Sequence, residues 1–290
     1  MKLMAYPEIL SISAENQKAD IAPSYGALLL RYSQDGRQIL HCTDNWDADF
    51  PKSCRCGNPV LFPIASHVNV DGEANAYIAQ GKKYYLAQHG FARHLPWQVI
   101  AHESAAVECR LVSTSFTLAM FPWDFELRLR YTLTGEGLIS HVRITNLSKE
   151  PMPAHFGFHP YFQLDAPQSR HFIKTPAAEA VSLFAGPKSN PVKVEPGELL
   201  LTSSLSMTRL YERPAARRFE LIHRESGRAI CVESASEAFQ CWAVWSPKID
   251  APFVCIEPWT SSPNAINHRG HLPVVQPSES LELEMTIYTK

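Results

Sequence analysis

The sequence predicts an all-β protein, folded as a large antiparallel β-sandwich, and four alternating segments carry this prediction. Apolar and polar side chains alternate over residues 125–134, and a glycine-containing turn at 135–137 leads into a second such run at 138–145. The same alternation returns at 107–111 and at 281–287. A period of two is typical of strands that bury one face.

Turn signals predict further strand pairs. Asp35-Gly36 separates residues 28–32 from 38–42, and Ser226-Gly227 separates 219–223 from 229–233, which favours two β-hairpins. No long segment has helical periodicity, and residues 175–204, rich in Pro, Ser and Ala, are expected to form an irregular excursion. No linker or repeat interrupts the pattern. We therefore expect one domain over residues 1–290, since all-β domains of this size occur as single units.

Composition limits the partners and the compartment. The chain has 290 residues and a formal charge of −2, so bulk charge gives no reason to expect a nucleic-acid partner. No signal peptide is evident, and no window approaches the roughly 18 apolar residues of a membrane span. The seven Cys are an odd number at irregular spacing, which argues against a disulfide framework. We expect a cytoplasmic protein with no membrane partner, and the oligomeric state stays open.

Two loops present side chains suited to binding a polar ligand. Arg55 precedes a Gly-Asn-Pro turn, where its forked guanidinium could bind a polar group, although an ordinary surface Arg is the simpler alternative. The segment 88–97 gathers His89, Arg93 and Trp97 around Gly90. Glycine allows close backbone approach, and a Trp face can stack on a sugar ring. A polar loop with a core Trp explains the same residues about equally well.

A further pair of segments could supply acid and base. His159 lies in an aromatic stretch at 155–162 and is followed by Pro, which makes it a candidate proton donor. Glu257 lies in the apolar stretch 255–260, where burying a carboxylate without a purpose or partner is costly. Together the two could carry out acid–base catalysis. The alternatives are a hydrogen-bonded core histidine and an ion pair with an Arg.

Other chemistries fit less well. Cys54 and Cys56 are spaced C-x-C, which is not a standard zinc spacing, so no metal site is predicted. The sequence has no G-x-S-x-G elbow, no P-loop and no dinucleotide fingerprint after a strand. His155 and His159 are four residues apart, but no Glu follows His155, so a zinc-protease helix is excluded.

Three motifs resemble the aldose 1-epimerase (galactose mutarotase-like) family in order and separation. They are H-G-F-A-R-H-L-P-W at 89–97, G-F-H-P-Y-F at 157–162 and C-I-E-P-W-T at 255–260. The P-V-L-F-P stretch at 59–63 fits as well, and the resemblance covers nearly the whole chain. It implies a β-supersandwich whose open face holds a sugar, and it implies interconversion of the α and β anomers of a free aldose without a cofactor.

The resemblance also implies roles for single residues. Glu257 would take the proton of the anomeric hydroxyl, and His159 would protonate the ring oxygen. His89 would hydrogen-bond the ring or anomeric oxygen. The remaining residues are expected to bind the sugar. Arg55 and Arg93 would hold its hydroxyl groups, and Phe158 and Trp259 would pack against its ring. Core packing explains the two aromatic residues nearly as well.

The proposed chemistry carries a protonation requirement. Ring opening needs a charged His159 and an ionised Glu257 together. With ordinary pKa values of about 6.5 and 4.3, both forms coexist between these values and somewhat above them, which predicts a broad rate optimum near neutral pH.

The sequence departs from the family pattern at positions that would set the sugar preference, so the identity of the sugar stays open. Family members often carry a sugar-binding Asp between the second and third motifs, but residues 166–249 contain none, and Glu212 is a candidate replacement. His94 stands where close relatives tend to have Asp. Two alternatives to the epimerase are a hexose-6-phosphate mutarotase, which would need a basic cluster, and a non-catalytic sugar-binding or sensor protein on the same fold.

Overall fold

The computed structural model describes residues 8–46, 55–184, 192–201 and 208–290, and strands dominate all four ranges. Within these ranges, in chain order, the strands are β1 (Leu10–Ala14), β2 (Gln17–Ala22), β3 (Leu28–Gln34), β4 (Arg37–Gln38), β5 (Val60–Leu61), β6 (Asn69–Val70), β7 (Glu73–Ala74), β8 (Ala76–Ala79), β9 (Lys82–Tyr85), β10 (Gln98–His102), β11 (Ala106–Val112), β12 (Phe125–Leu133), β13 (Leu138–Asn146), β14 (Met152–Pro153), β15 (Gly157–Phe158), β16 (Tyr161–Gln163), β17 (His171–Thr175), β18 (Ala178–Phe184), β19 (Val192–Val194), β20 (Gly197–Leu200), β21 (Thr208–Pro214), β22 (Arg218–His223), β23 (Ala229–Glu233), β24 (Cys241–Trp245), β25 (Phe253–Trp259), β26 (Val274–Val275) and β27 (Ser280–Thr289).

Helical structure is limited to short turns. In the described part of the chain these are the α-helical turns α1 (Ser115–Leu118) and α2 (Ala265–His268) and the 3-10 turns Pro23–Tyr25, Ala92–His94 and Gln168–Arg170. None of the described helices has the length and apolar content needed to cross a membrane.

Two large antiparallel sheets form the body of the fold. The first has nine strands in the order β10-β11-β12-β13-β27-β23-β22-β17-β20. The second has eight strands, with the order β19-β18-β21-β24-β25-β15-β5 and with β16 also paired to β25. A four-stranded sheet, β1-β2-β3-β4, packs beside them through contacts with β11 and β12. The all-β sandwich predicted from sequence is confirmed.

The alternating segments bury one face as their sequences predict. In β12, Phe125, Leu127 and Leu129 are buried, whereas Arg128 between the last two is exposed. The buried side chains of the nine-stranded sheet join those of the eight-stranded sheet, such as Val254 and Ile256, in one apolar cluster between the sheets. Burial of apolar area of this kind is the main favourable contribution to folding.

The predicted turns are confirmed, with one difference in strand length. β22 and β23 pair as an antiparallel hairpin across Ser226-Gly227. The hairpin at Asp35-Gly36 also forms, but its second strand is only Arg37–Gln38 instead of residues 38–42.

The irregular excursion expected over residues 175–204 is wrong for its described part. β18 and β19 lie there at one edge of the eight-stranded sheet, and β20 ends the nine-stranded sheet. β19 and β20 expose most of their side chains. Because such strands bury few residues, their sequences show little of the alternation that marks a strand.

The loop at residues 88–97, called the covering loop below, is held against the end of β5. It lies on the outer face of the eight-stranded sheet, the face turned away from the core. The backbone N–H groups of Phe91 and Ala92 both donate to the carbonyl of Phe62, at 3.0 and 3.1 Å. Gly90 makes this approach possible. It has a φ of +69°, and a Cβ on it would lie 2.2 Å from the Phe62 carbonyl oxygen.

The Gly90→Ala variant is therefore expected to destabilise the fold strongly, because it adds a backbone clash to an unfavourable φ. Gly81→Ala is the matched control, since Gly81 has a φ of +72° and nothing within 4 Å of an added Cβ. We expect a loss of about 1–2 kcal/mol for the control and at least about 3 kcal/mol for Gly90→Ala. Urea denaturation measures both, and equal losses would contradict the close packing of the loop on β5.

Candidate active site

Glu257 lies at the centre of the eight-stranded sheet, on its outer face. β25 buries every side chain, with Val254 and Ile256 in the core and Cys255 and Glu257 on the opposite face. On the next strand, β24, Ala243 is paired with Glu257. Ala243 is itself fully buried.

His159 is held next to Glu257 by contacts of its backbone and its ring. Its backbone N–H donates to Oδ1 of Asn58 at 3.0 Å and shares this proton with the Pro59 carbonyl at 3.1 Å. Its ring stacks on Tyr161 with 4.7 Å between centroids. In this position, Nε2 of His159 is 3.4 Å from Oε2 of Glu257, and both residues are buried. The structure thus brings together the acid and base predicted from sequence.

His89 faces this pair from the covering loop, and its tautomer follows from its contacts. The backbone N–H of Ser66 donates to Nδ1 of His89 at 3.0 Å, so the proton of the neutral ring is on Nε2. Burial lowers the pKa of His89 well below its ordinary value, so the ring is neutral near pH 7. Its centroid is 5.4 Å from that of His159. The Nε2–H of His89 lies beside the acid–base pair and 3.2 Å from the side-chain amide of Gln88, which can accept this proton through its oxygen.

Burial changes the pKa values of the pair in opposite directions. Burial, together with the positive charge of Arg93, lowers the pKa of His159 to about 3. Burial also raises the pKa of Glu257 well above 4.5, partly opposed by Trp259 and Arg93. The expectation of two ordinary pKa values is therefore wrong. In this buried site each group therefore favours its neutral form.

The two arginines predicted to bind substrate differ in burial and in their contacts. Arg93 is half-buried, donates from Nε to Nε2 of His94 at 3.1 Å, and acts electrostatically on both members of the pair. Arg55 is exposed, and its guanidinium carbon is 5.8 Å from the ring centroid of Trp245. It lies near enough to Cys255 to oppose the rise that burial causes in the pKa of that thiol.

The two aromatic residues expected as packing walls differ in position. Trp259 lies on the outer face with Glu257, and its ring is 6.3 Å from that of His89. Its indole N–H comes near the Glu257 carboxylate without forming a regular hydrogen bond. The expectation that Phe158 forms a wall of the sugar site is wrong. It is fully buried on the core side and packs on Phe156 and Phe239, because its neighbours along the chain occupy the outer face.

Asn58 belongs to the site but was missed as a functional residue. Its Oδ1 accepts from the His159 backbone, while its Nδ2 is buried and has no partner among the described residues. Nδ1 of His159 and Oε2 of Glu257 are also buried without a hydrogen bond there. Unpaired buried polar atoms are costly, and their clustering indicates that a polar ligand completes them. The only sequence signal for Asn58 was the Gly-Asn-Pro turn that contains it.

Glu212 lies on the same face as the pair, two strands from Glu257. In the sheet register, Glu212 on β21 is opposite Cys241 on β24, which is opposite Trp259 on β25. After burial itself, the charges of Glu212 and Glu257 both raise the pKa of the Cys241 thiol. A second carboxylate therefore faces the site.

The expectation that Cys54 and Cys56 form no metal site cannot be compared with the structure. Cys54 lies outside the described residues, and Cys56 is buried. That expectation, which rests on the C-x-C spacing, therefore stays a prediction.

Replacing Glu257 by Gln is expected to stabilise the fold increasingly as pH rises above 4.5. In the unfolded chain the carboxyl ionises near that pH, whereas the folded chain keeps it protonated. The wild type therefore loses on the order of 1 kcal/mol per pH unit until the folded pKa is reached, and Gln avoids this loss. Melting temperatures of both proteins at pH 4 and pH 8 measure the effect.

Glu126→Gln provides a control of opposite sign. Burial alone would raise the pKa of Glu126, but Arg128 and Arg110 hold it below its ordinary value. Its carboxylate therefore stabilises the fold at pH 8, and this contribution is lost as pH falls. A melting difference between Glu257→Gln and wild type that does not change with pH would contradict the pKa shift of Glu257.

Comparisons with known proteins identify the family of the chain. The family model described as "Aldose 1-epimerase" matches residues 8–288. Among curated proteins, the chain is 25% identical over 257 residues to the chromosomal protein LacX of Lactococcus lactis subsp. lactis, which covers 81% of this chain and 82% of LacX. The E. coli K12 protein YphB is 24% identical over 253 residues, covering 78% of this chain and 81% of YphB.

Two solved structures are similar over nearly their full lengths. The Slr1438 protein of Synechocystis sp. PCC 6803 is 28% identical with a TM-score of 0.88, covering 99% of this chain and 96% of that chain. A galactose mutarotase-like protein of Lactobacillus casei, at 23% identity, shares the fold with a TM-score of 0.82, covering 98% of this chain and all of its own. Together with the match over residues 8–288, these similarities show that the chain belongs to the aldose 1-epimerase family.

Proposed function

We propose that this protein is an aldose 1-epimerase that interconverts the α and β anomers of a free aldose. The observation that supports the proposal is the buried contact of 3.4 Å between Nε2 of His159 and Oε2 of Glu257, the two groups that would act as acid and base. The unpaired polar atoms of Asn58, His159 and Glu257 around it suit a ligand rich in hydroxyl groups.

Ring opening needs one proton on the pair, carried by His159, while Glu257 is ionised. With the proton on His159, Glu257 removes the proton of the anomeric hydroxyl, the electrons form the aldehyde C=O, and the bond from C1 to the ring oxygen breaks. The ring oxygen takes the proton from His159. The open-chain sugar then faces a protonated Glu257 and a neutral His159, which are the forms that burial favours.

Rotation of the aldehyde group and reversal of both proton transfers close the ring on the other face. No net proton is consumed, and we propose that no cofactor takes part. The reaction needs two proton transfers at fixed positions, which is general acid–base catalysis. The neighbouring charge of Arg93 lowers the pKa of both groups, so it favours the ionised Glu257 and opposes the charged His159 that start the cycle.

The surrounding residues suit the binding of a sugar. Nε2–H of His89 is the donor for the ring or anomeric oxygen, and Trp259 offers an apolar surface beside it. Arg55 and Arg93 bind hydroxyl groups in this proposal. Glu212 takes the part of the Asp that the family often carries, because it lies on the same face as Glu257.

A phosphorylated aldose is the second candidate substrate. The exposed guanidinium of Arg55 over Trp245 is the observation that favours it, since Arg binds phosphate through two parallel hydrogen bonds. A non-catalytic sugar sensor fits less well, because binding alone needs no buried acid–base pair.

The reducing cytoplasm remains the proposed compartment. Cys109, Cys231, Cys241 and Cys255 are free thiols, which agrees with a reducing environment.

Anomer exchange measured by NMR or polarimetry tests the proposed reaction. The purified protein is mixed with α-D-glucose, α-D-galactose and glucose 6-phosphate, and we expect acceleration of at least one. Glu257→Gln and His159→Asn are each expected to lower kcat roughly 100- to 10,000-fold, because each removes one proton-transfer group.

His171→Asn is the matched control for this assay. His171 is also a buried histidine, but it lies in β17 and pairs with Asp165 outside the site. It should keep wild-type activity. Binding of a sugar without acceleration would favour the sensor alternative, and acceleration restricted to glucose 6-phosphate would favour the phosphorylated substrate.

Glu212→Gln is expected to raise KM roughly tenfold with little change in kcat, because a charged hydrogen bond to a sugar hydroxyl is lost while the acid–base pair remains. Initial-rate measurements over a range of sugar concentrations separate the two constants. Glu179→Gln, an exposed residue on the neighbouring strand β18, is the control. An unchanged KM for Glu212→Gln would remove Glu212 from the binding site.

A further inference from the structure

A cysteine lies against the acid–base pair without a role in the proposed reaction. Cys255 is two residues before Glu257 on β25, so both side chains point to the outer face of the sheet. Sγ of Cys255, a ring nitrogen of His159 and a carboxylate oxygen of Glu257 all lie within 4.8 Å of one another. All three residues are buried.

We propose that Cys255, His159 and Glu257 form a site for a thiophilic divalent cation, best matched by Zn²⁺, and that the bound cation inhibits the enzyme. The inhibition, though not the binding, rests on the proposed function. Zn²⁺ would hold Nε2 of His159 and the Glu257 carboxylate, the two atoms that transfer protons, so a metal-bound site could not open the sugar ring.

The donor set fits zinc. One thiolate, one imidazole and one carboxylate are its usual ligands, at about 2.0–2.3 Å, and three protein ligands leave a fourth position open. Ligand atoms on a tetrahedral Zn²⁺ are then separated by roughly 3.3–3.8 Å. The contact between His159 and Glu257 is 3.4 Å, and side-chain movements of about 1 Å would bring Cys255 into the same range.

Charge and the unpaired atoms support binding in this buried place. The thiolate and the carboxylate neutralise the cation, so the complex adds no net charge to a dry site. Oε2 of Glu257 has no hydrogen bond among the described residues and is free to coordinate. On binding, the thiol proton and the proton shared by the pair leave to solvent. The charges of Arg55 and Arg93 oppose the cation, so we expect micromolar rather than tighter binding.

A second cluster of similar composition does not fit a cation. Asp165, His171 and His223 also bring their ligand atoms within 4.8 Å. The Asp165 carboxylate, however, already binds Arg37 at 2.8 Å and Arg228 at 3.1 Å. This cluster is an ion-pair network, whereas the lone pairs at Glu257 are open.

Cobalt binding tests the site without reference to activity. Co²⁺ added to chelator-treated protein should bind one equivalent and give the near-ultraviolet thiolate-to-cobalt absorption band. Cys255→Ser should lose the band and weaken Zn²⁺ binding at least roughly tenfold in competition with a chelator. Cys241→Ser is the control, since Cys241 is equally buried on the same face of β24 but lies outside the cluster.

Inhibition is measured in the same preparations. Zn²⁺ should slow anomer exchange by the wild type and by Cys241→Ser, in competition with the sugar. A chelator should reverse this inhibition. Cys255→Ser should be active and at least tenfold less sensitive to Zn²⁺. Cys255→Ala replaces Cys255→Ser if the latter does not fold.

The outcomes separate the metal site from the proposed function. Absence of the cobalt band in the wild type, or equal binding by Cys255→Ser, overturns the site. A Cys255-dependent band in a protein that accelerates no sugar leaves the site standing and overturns the enzyme. Acceleration that zinc does not affect, with the band present, overturns the inhibition.

Discussion

The desolvation of one carboxylate governs the structure around it. Glu257 lies on a fully buried strand, and the covering loop with His89 excludes water from above. Outside water an ionised carboxylate is unstable unless other groups compensate. The features at the site either provide that compensation or keep the water out. Arg93 and Trp259 favour the ionised form, and Nε2 of His159 lies 3.4 Å from the carboxylate.

This arrangement places the stability and the chemistry of the site in opposition. A glutamine at 257 would suit the dry surroundings better, but it could not accept a proton. The unpaired atoms of Asn58 and His159 add to the same cost. Active sites commonly retain such locally unfavourable groups, which the packing of the rest of the protein must offset. Here the long alternating strands of the nine-stranded sheet, such as β12 and β13, provide much of that packing.

The sequence was sufficient for the fold class and for the residues of the central pair. Strands such as β12 could be predicted because one face meets the core and the other meets water. β19 and β20 could not, since as edge strands they bury little. Phe158 was misplaced because alternation in a two-residue strand is too short to show which face is inward. The pKa values of His159 and Glu257 could not be predicted either, because they depend on burial by a loop that lies about 70 residues before one and 170 before the other.

The position of β27 has a consequence for how the protein is made. Residues 280–289 form a strand between β13 and β23, in the interior of the nine-stranded sheet. Until these residues have left the ribosome, β13 and β23 each lack a neighbour, and both present open hydrogen-bonding edges. A long incomplete sheet of this kind exposes nascent chains to wrong pairing. The nine-stranded sheet can therefore be completed only after residues 280–289 have been synthesised, although its other strands precede them in the chain.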